Sequence, residues 1–293
     1  MPGFFGPNID RKQFLQTSGA IAASLLAPHT SKADDADVAH LALLSDTHIP
    51  ADPTNGYRGF LPVDNLNKVI PQTVKTNPQA AIINGDAARL VGNKEDYVAL
   101  KKLLQPLADK CPIHIGLGNH DHRENFFETF ANAKPAEPLV EDKHVSTFEM
   151  AGTRFVVLDS LLYVDKVAGL MGKAQREWLA KFLEETNDKP IVFFVHHTLS
   201  DRDGDLLDFD RVFRIMQPHK KVKAIFYGHS HRYHIEQREH IYLINQPAIG
   251  YNFNDEQPVG WLDAKFTTSD VKLTLHAIGG NVADDGKTKT VTW

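Results

Sequence analysis

Ile113-His114-Ile115-Gly116-Leu117-Gly118-Asn119-His120-Asp121 is an apolar run that stops in residues able to bind or serve a metal. Positions 113–117 read as a buried strand. Gly118 opens a turn in which an amide, an imidazole and a carboxylate follow one another. Asn119 can offer a metal a neutral oxygen, His120 can stand over a site without ligating, and Asp121 can orient an imidazole. A loop whose Asn and Asp only shape a turn would look the same. The decision rests on whether other runs end alike.

Four others do. The run 38–45 ends in Asp46-Thr47-His48, and 80–84 in Gly85-Asp86. The run 191–195 ends in His196-His197, and 222–227 in Gly228-His229-Ser230-His231. If the chain stays extended past 45, Asp46 and His48 share a face and can clasp one ion. Asp86 can bridge two ions with its two oxygens, and the His-x-His pair can give one ligand to each. Any one cluster has a bland reading as a turn or a hydrogen-bonded histidine. Five in order, each closing a strand-like run, do not arise by coincidence. Carboxylate, amide and imidazole ligands without thiolate suit Mn, Fe, Zn or Co rather than Ca. Two such ions a few ångströms apart form a phosphoester-hydrolysing centre.

Between the runs the spacing predicts helices at 65–76, 93–107 and 172–185. Strand, helix, strand, helix, strand implies a parallel sheet with short crossovers, and groups beyond the carboxyl ends of such strands meet at one edge. The second half adds a hairpin at 147–150 and 153–158 and closing strands at 241–245, 260–267 and 271–278. The expected fold is α/β, with two facing mixed β-sheets flanked by helices, in one domain spanning 34–293. The Asp-rich stretch 201–210 reads equally as a cover over the site or a solvated loop.

The 293 residues carry 42% hydrophobic and 24% charged side chains and a net charge of −5. That is the make-up of a globular chain, with no basic surplus to favour a nucleic-acid partner. The single cysteine, Cys111, rules out an intramolecular disulfide and reads as a small buried thiol. Residues 1–33 have the parts of an export signal: Arg11-Lys12-Gln13-Phe14-Leu15, an apolar stretch at 20–26 and small residues around Lys32. The stretch is too short to span a bilayer. It resembles a twin-arginine signal with Lys12 at the second arginine. The other reading is an N-terminal helix of a cytoplasmic enzyme.

Taken together, the five clusters resemble the calcineurin-like metallophosphoesterases over nearly all of 38–280, closest to the class III cyclic-nucleotide and glycerophosphodiester phosphodiesterase branch. That resemblance implies a four-layer αββα sandwich. It places Asp46, His48 and His231 on one divalent ion, Asn119, His196 and His229 on a second, and Asp86 between them. His120 would be the general acid, or a charge stabiliser, facing the leaving oxygen. His197 and Asp121 would stand behind the ligands, and Arg123 could meet a substrate phosphate. Phe126 or Tyr251 could face a base or a lipid headgroup, but Arg123, Phe126 and Tyr251 each read first as ordinary surface or core residues. It implies in-line attack on phosphorus by a water whose pKa the ions lower, on a small phosphoester and with no membrane span. By analogy with that branch it also implies homodimerisation. Arg89 stands where purple acid phosphatases carry a tyrosinate, and Ala87-Ala88-Arg89-Leu90 replaces the Ser/Thr protein phosphatase signature. Three activities fit the chain: a phosphodiesterase, a phosphomonoesterase or pyrophosphohydrolase with the same centre, and a non-catalytic metal-binding scaffold.

Overall fold

Strand β2, Ala39–Leu44, is apolar on both faces, and the structure buries both. Leu41 and Leu43 enter one core while Ala42 and Leu44 enter another. A two-faced strand requires cover on each side, and the whole architecture follows from that need. The computed structural model describes residues 4–5 and 37–293.

The first half supplies β1 (Phe4–Phe5), β2, α1 (Pro62–Thr76), β3 (Ala80–Asn84), α2 (Lys94–Ala108), β4 (Ile113–Gly116) and α3 (Arg123–Thr129). The hairpin β5 (Ser146–Met150) and β6 (Thr153–Val157) follows, then α4 (Gly172–Glu185), β7 (Ile191–Phe194), α5 (Phe209–Met216) and β8 (Val222–Tyr227). The chain closes with β9 (His234–Arg238), β10 (Ile241–Asn245), β11 (Pro258–Phe266), β12 (Asp270–Gly280) and β13 (Thr288–Thr292). One sheet has the order β1-β4-β3-β2-β11-β12-β13, and the other β5-β6-β7-β8-β10-β9. Strands β2, β3 and β4 are parallel, as are β6, β7, β8 and β10.

Three apolar cores define four layers. Leu66, Val69, Leu100 and Leu104 of α1 and α2 pack on the outer face of the first sheet. Leu179, Leu183, Val212 and Met216 of α4 and α5 pack on the outer face of the second. Leu43, Ile82, Phe194, Phe226 and Leu262 fill the space between the sheets. This is the expected αββα sandwich. Asn84, at the end of β3, is buried and reaches across to the carbonyls of Val195 and Phe226 and to the Gln246 side chain. It ties the two sheets together under the ligand-bearing ends.

Helix α1 starts three residues earlier than the spacing predicts, because Pro62 at its first turn presets a helical φ. The sequence reading missed α3, α5, β9 and β13. Phe209, Val212, Phe213 and Met216 form a buried helical stripe that the neighbouring aspartates obscured. In the stretch 201–210, Asp208 accepts from the amides of Met171 and Gly172 and pairs with Arg176. It anchors the start of α4. Cys111 is buried, and burial pushes its thiol up to about 12. The export-signal reading of 1–33 lies outside the described residues, apart from Phe4–Phe5. Those two pair antiparallel with Ile113 and His114, so the segment does not stay wholly outside the fold. The open edge of β4 offers the unpaired backbone groups that make this pairing favourable. Among the described residues no helix is long and apolar enough to cross a membrane.

Candidate metal centre

The chain turns sharply as each ligand strand ends. Asp46, His48, Asp86, His229 and His231 all lie in the left-handed region, with φ of 51°, 48°, 45°, 67° and 51°. Non-glycine residues adopt it at a cost, and such strain gathers at functional sites. The extended path expected from Asp46 to His48 is therefore not observed. The turns lock on one another instead: the Asp46 amide donates to Gly85 O at 3.1 Å and the His48 amide to Asp86 O at 2.8 Å. Two glycines make the approach feasible. A side chain at Gly118 would strike the Asp86 carboxylate, and one at Gly228 would strike Ser45 and Asp46.

The side chains converge in two groups, one of Asp46, His48 and His231, the other of Asp86, His196 and His229. Within each, one nitrogen or oxygen per residue lies within 4.8 Å of the others. Asp86 Oδ2 sits between them, 3.6 Å from His48 Nε2 and 3.3 Å from His196 Nε2. Its Oδ1 is engaged by the His120 amide at 2.9 Å. A single oxygen, rather than two, thus faces both groups. Asn119 is buried beside them, and its Oδ1 makes no hydrogen bond. An amide oxygen left bare in the interior is costly unless a cation meets it.

Backbone carbonyls hold the far side of the rings. His196 Nδ1 donates to Asn84 O at 3.0 Å, His231 Nδ1 to Tyr251 O at 2.6 Å and His229 Nε2 to Gly204 O at 3.0 Å. Each bond fixes a tautomer and leaves the other nitrogen for the centre. Gly204 lies in the Asp-rich stretch, which therefore touches the site through its backbone. These acceptors have no side-chain signature, and sequence reading could not find them. It also missed Ser45, whose Oγ donates to Asp46 Oδ2 at 2.5 Å.

The electrostatics call for positive charge. Burial alone would raise the Asp46 carboxyl, but His231 and His196 overcome it and hold it at about 2. Asp86 behaves the same way and falls well below the usual range, with His196 the main opposing influence. Burial would lower His196, yet Asp86 raises it to about 9. His229 falls to about 4, and His48 well below its ordinary value, chiefly through burial. Paired buried carboxylates that draw a proton onto one imidazole, with other imidazoles kept neutral, fit divalent cations.

His120 joins His48 and Asp86 in a third cluster. Its Nδ1 donates to Leu90 O at 2.6 Å and lies 3.5 Å from Asp165 Oδ1. One expectation needs correction, and two residues take their ordinary structural reading. Asp121 orients no imidazole through any hydrogen bond: its carboxylate accepts from the amides of Ala87, Ala88 and Gly118 and from the Tyr97 hydroxyl. It clamps the Asp86 turn to the Asn119 turn, and burial lifts it to about 6. Arg123 is committed to Asp159, its Nε and Nη2 reaching the two carboxylate oxygens at 2.7 and 2.8 Å. Phe126 is packed in the core against Tyr97 and Phe130. His197 stands behind His196 and His229, with ring centres 5.0 and 4.9 Å away, and its Nδ1 meets Ser160 Oγ at 2.7 Å. Tyr251 lies under the site, stacked on His48 at 4.7 Å.

Known proteins resemble this chain in sequence and in fold. A probable cyclic nucleotide phosphodiesterase of a Synechococcus species is 26% identical over 78% of this chain and 88% of its own length. The glycerophosphodiester phosphodiesterase GpdQ of Enterobacter lignolyticus is 26% identical over 74% of this chain and 81% of its own. In fold, a dimetal phosphatase from Danio rerio superposes with a TM-score of 0.67 at 14% identity, covering 89% of this chain and all of that one. The calcineurin-like phosphoesterase family model matches residues 39–233. The chain belongs to the calcineurin-like phosphoesterase family, metal-dependent hydrolases of phosphoric esters.

Proposed function

We propose that this enzyme is a phosphodiesterase of small diesters of the cyclic-nucleotide or glycerophosphodiester type, working with two divalent transition ions. The observation that carries it is the pair of buried ligand groups sharing Asp86 Oδ2, with His120 alongside. Asp46, His48 and His231 would hold one ion, and Asn119, His196 and His229 the other. Relatives named for diester hydrolysis support the diester over the monoester. The ions, when bound, would activate water and offset negative charge on the phosphoryl oxygens. Residues 1–33 would direct export, and 34–293 would form the catalytic domain, acting as a homodimer.

The test compares bis(p-nitrophenyl) phosphate with p-nitrophenyl phosphate on protein stripped of metal and refilled with Mn. Metal-dependent preference for the diester is expected. Preference for the monoester would replace this reading with a phosphomonoesterase.

The residues divide the work of the reaction. The ligand turns fix where the phosphoryl group sits. His120 holds a proton on Nδ1 against the Leu90 carbonyl, which leaves Nε2 to deliver one to the departing alkoxide. His120→Ala should lower kcat by roughly 10²- to 10⁴-fold on esters with poor leaving groups. Loss should shrink as the leaving group becomes more acidic. A series of aryl and alkyl diesters reads this slope, and a uniform loss across the series would remove the proton-delivery role.

A further inference from the structure

One wall of the cleft beside the ligands is aromatic. The Phe253 ring lies against His231, with centroids 4.3 Å apart and planes at 22°. Phe253 is nevertheless 51% exposed, so much of the ring is open to the cleft. Tyr57, 46% exposed, stands edge-on to Tyr251 at 4.9 Å and to Phe253 at 6.5 Å. His229, His231 and Phe253 line one cavity of about 920 Å³, within the size range of small-molecule sites.

We infer that Phe253, flanked by Tyr57, is a stacking shelf for the nucleobase of a nucleotide diester and sets selectivity for base-bearing over glycerol-type substrates. This rests on the phosphodiesterase reading and narrows it. Two observations favour a base over other occupants. The shelf leans on His231 of the ligand cluster, so a ring on its open side would lie close to the ligand groups. Asn245, Asn254 and Gln257 also line the cleft and offer hydrogen-bond partners to the edge of a base.

The full-length protein loaded with Mn would be assayed for kcat/KM on cyclic AMP and the dinucleotide ApA, and on glycerophosphoethanolamine. Phe253→Leu keeps an apolar side chain against His231 but removes the flat ring. It should lower the selectivity for the nucleotides over glycerophosphoethanolamine by roughly ten- to hundredfold, mostly through KM, which is the size of one base-stacking contact. Phe253→Trp should keep or raise that selectivity. Equal losses on both substrate types in the Leu variant would show that the ring only props His231, and would overturn the inference. A wild-type enzyme that cleaves glycerophosphoethanolamine but neither nucleotide would overturn it while leaving the phosphodiesterase reading intact. Failure on bis(p-nitrophenyl) phosphate would strike that reading itself, and this inference with it.

Discussion

Asp86→Asn should cut diester turnover by about 10³-fold or more and reduce the metal bound at equilibrium. The scale follows from removing several kcal/mol of charge stabilisation, at roughly 1.4 kcal/mol per tenfold. Asp86 Oδ2 faces both ligand groups, 3.6 Å from His48 Nε2 and 3.3 Å from His196 Nε2. An amide of the same shape keeps an oxygen but loses the negative charge that faces both ligand groups. The metal-free protein gives an independent readout. There Asp86 is the main influence raising His196 to about 9. A raised imidazole stabilises the fold fully below its unfolded value of about 6.5 and loses that contribution as pH rises through 9. The depressed Asp86 carboxyl contributes above about 4 and loses its share as pH falls below that. The pair therefore favours the fold between these limits. In the Asn variant the His196 proton should leave near or below neutrality, and the pH dependence that this pair gives apo stability should be lost. Metal content by elemental analysis and thermal unfolding across pH 5–10 test both halves. Two tightly bound ions and near-normal turnover in the variant would remove Asp86 from the centre.

The parts of this site legible in the sequence are those that strand ends dictate. An apolar run followed by a ligand-type residue fixes both the element and the edge where its side chain emerges. That is why Asp46, Asp86, Asn119, His196 and His229 meet although they are far apart along the chain. What could not be read depends on backbone and on competition for partners. The left-handed φ of Asp46 and His48 is invisible in residue type, because only tertiary hydrogen bonds from neighbouring turns force it. Asp121 looks like an imidazole partner, yet three convergent backbone amides and a tyrosine hydroxyl claim its oxygens first. Helix α5 was hidden for a compositional reason. Aspartates before Phe209 suggested a solvated loop, while the apolar stripe that decides the matter starts only at that residue.

Arg123 shows the same competition with the largest expected effect on stability. It begins α3, next to the Asn119 loop of the first sheet, while Asp159 follows β6 of the second. Asp159 is fully buried, and it also accepts from the amides of His144 and Leu161 at 2.8 and 2.9 Å. Burial alone would raise its carboxyl, but the Arg123 fork holds it below the usual range. Removing one member of such a pair leaves a charge in the interior, at a cost of about 3–5 kcal/mol. Arg123→Ala should therefore lower Tm by roughly 10 °C, taking about 2–4 °C per kcal/mol for a chain near this size. Arg123→Lys should fall between, because it restores charge without the two parallel bonds. The pH dependence has a definite sign. A depressed carboxyl stabilises the fold above its unfolded value of about 3.9 and loses that contribution as pH falls through the folded value. In the Ala variant burial acts with less opposition and the carboxyl titrates higher. The deficit relative to wild type should be greatest near neutrality and shrink toward pH 4. Asp159→Asn combined with Arg123→Ala should recover part of the loss, since no buried carboxylate then remains without its guanidinium. Diester kcat/KM of the folded Arg123→Ala protein, measured well below its Tm, should stay within a few-fold of wild type. A large loss of activity at unchanged Tm would reverse the assignment and return Arg123 to the substrate.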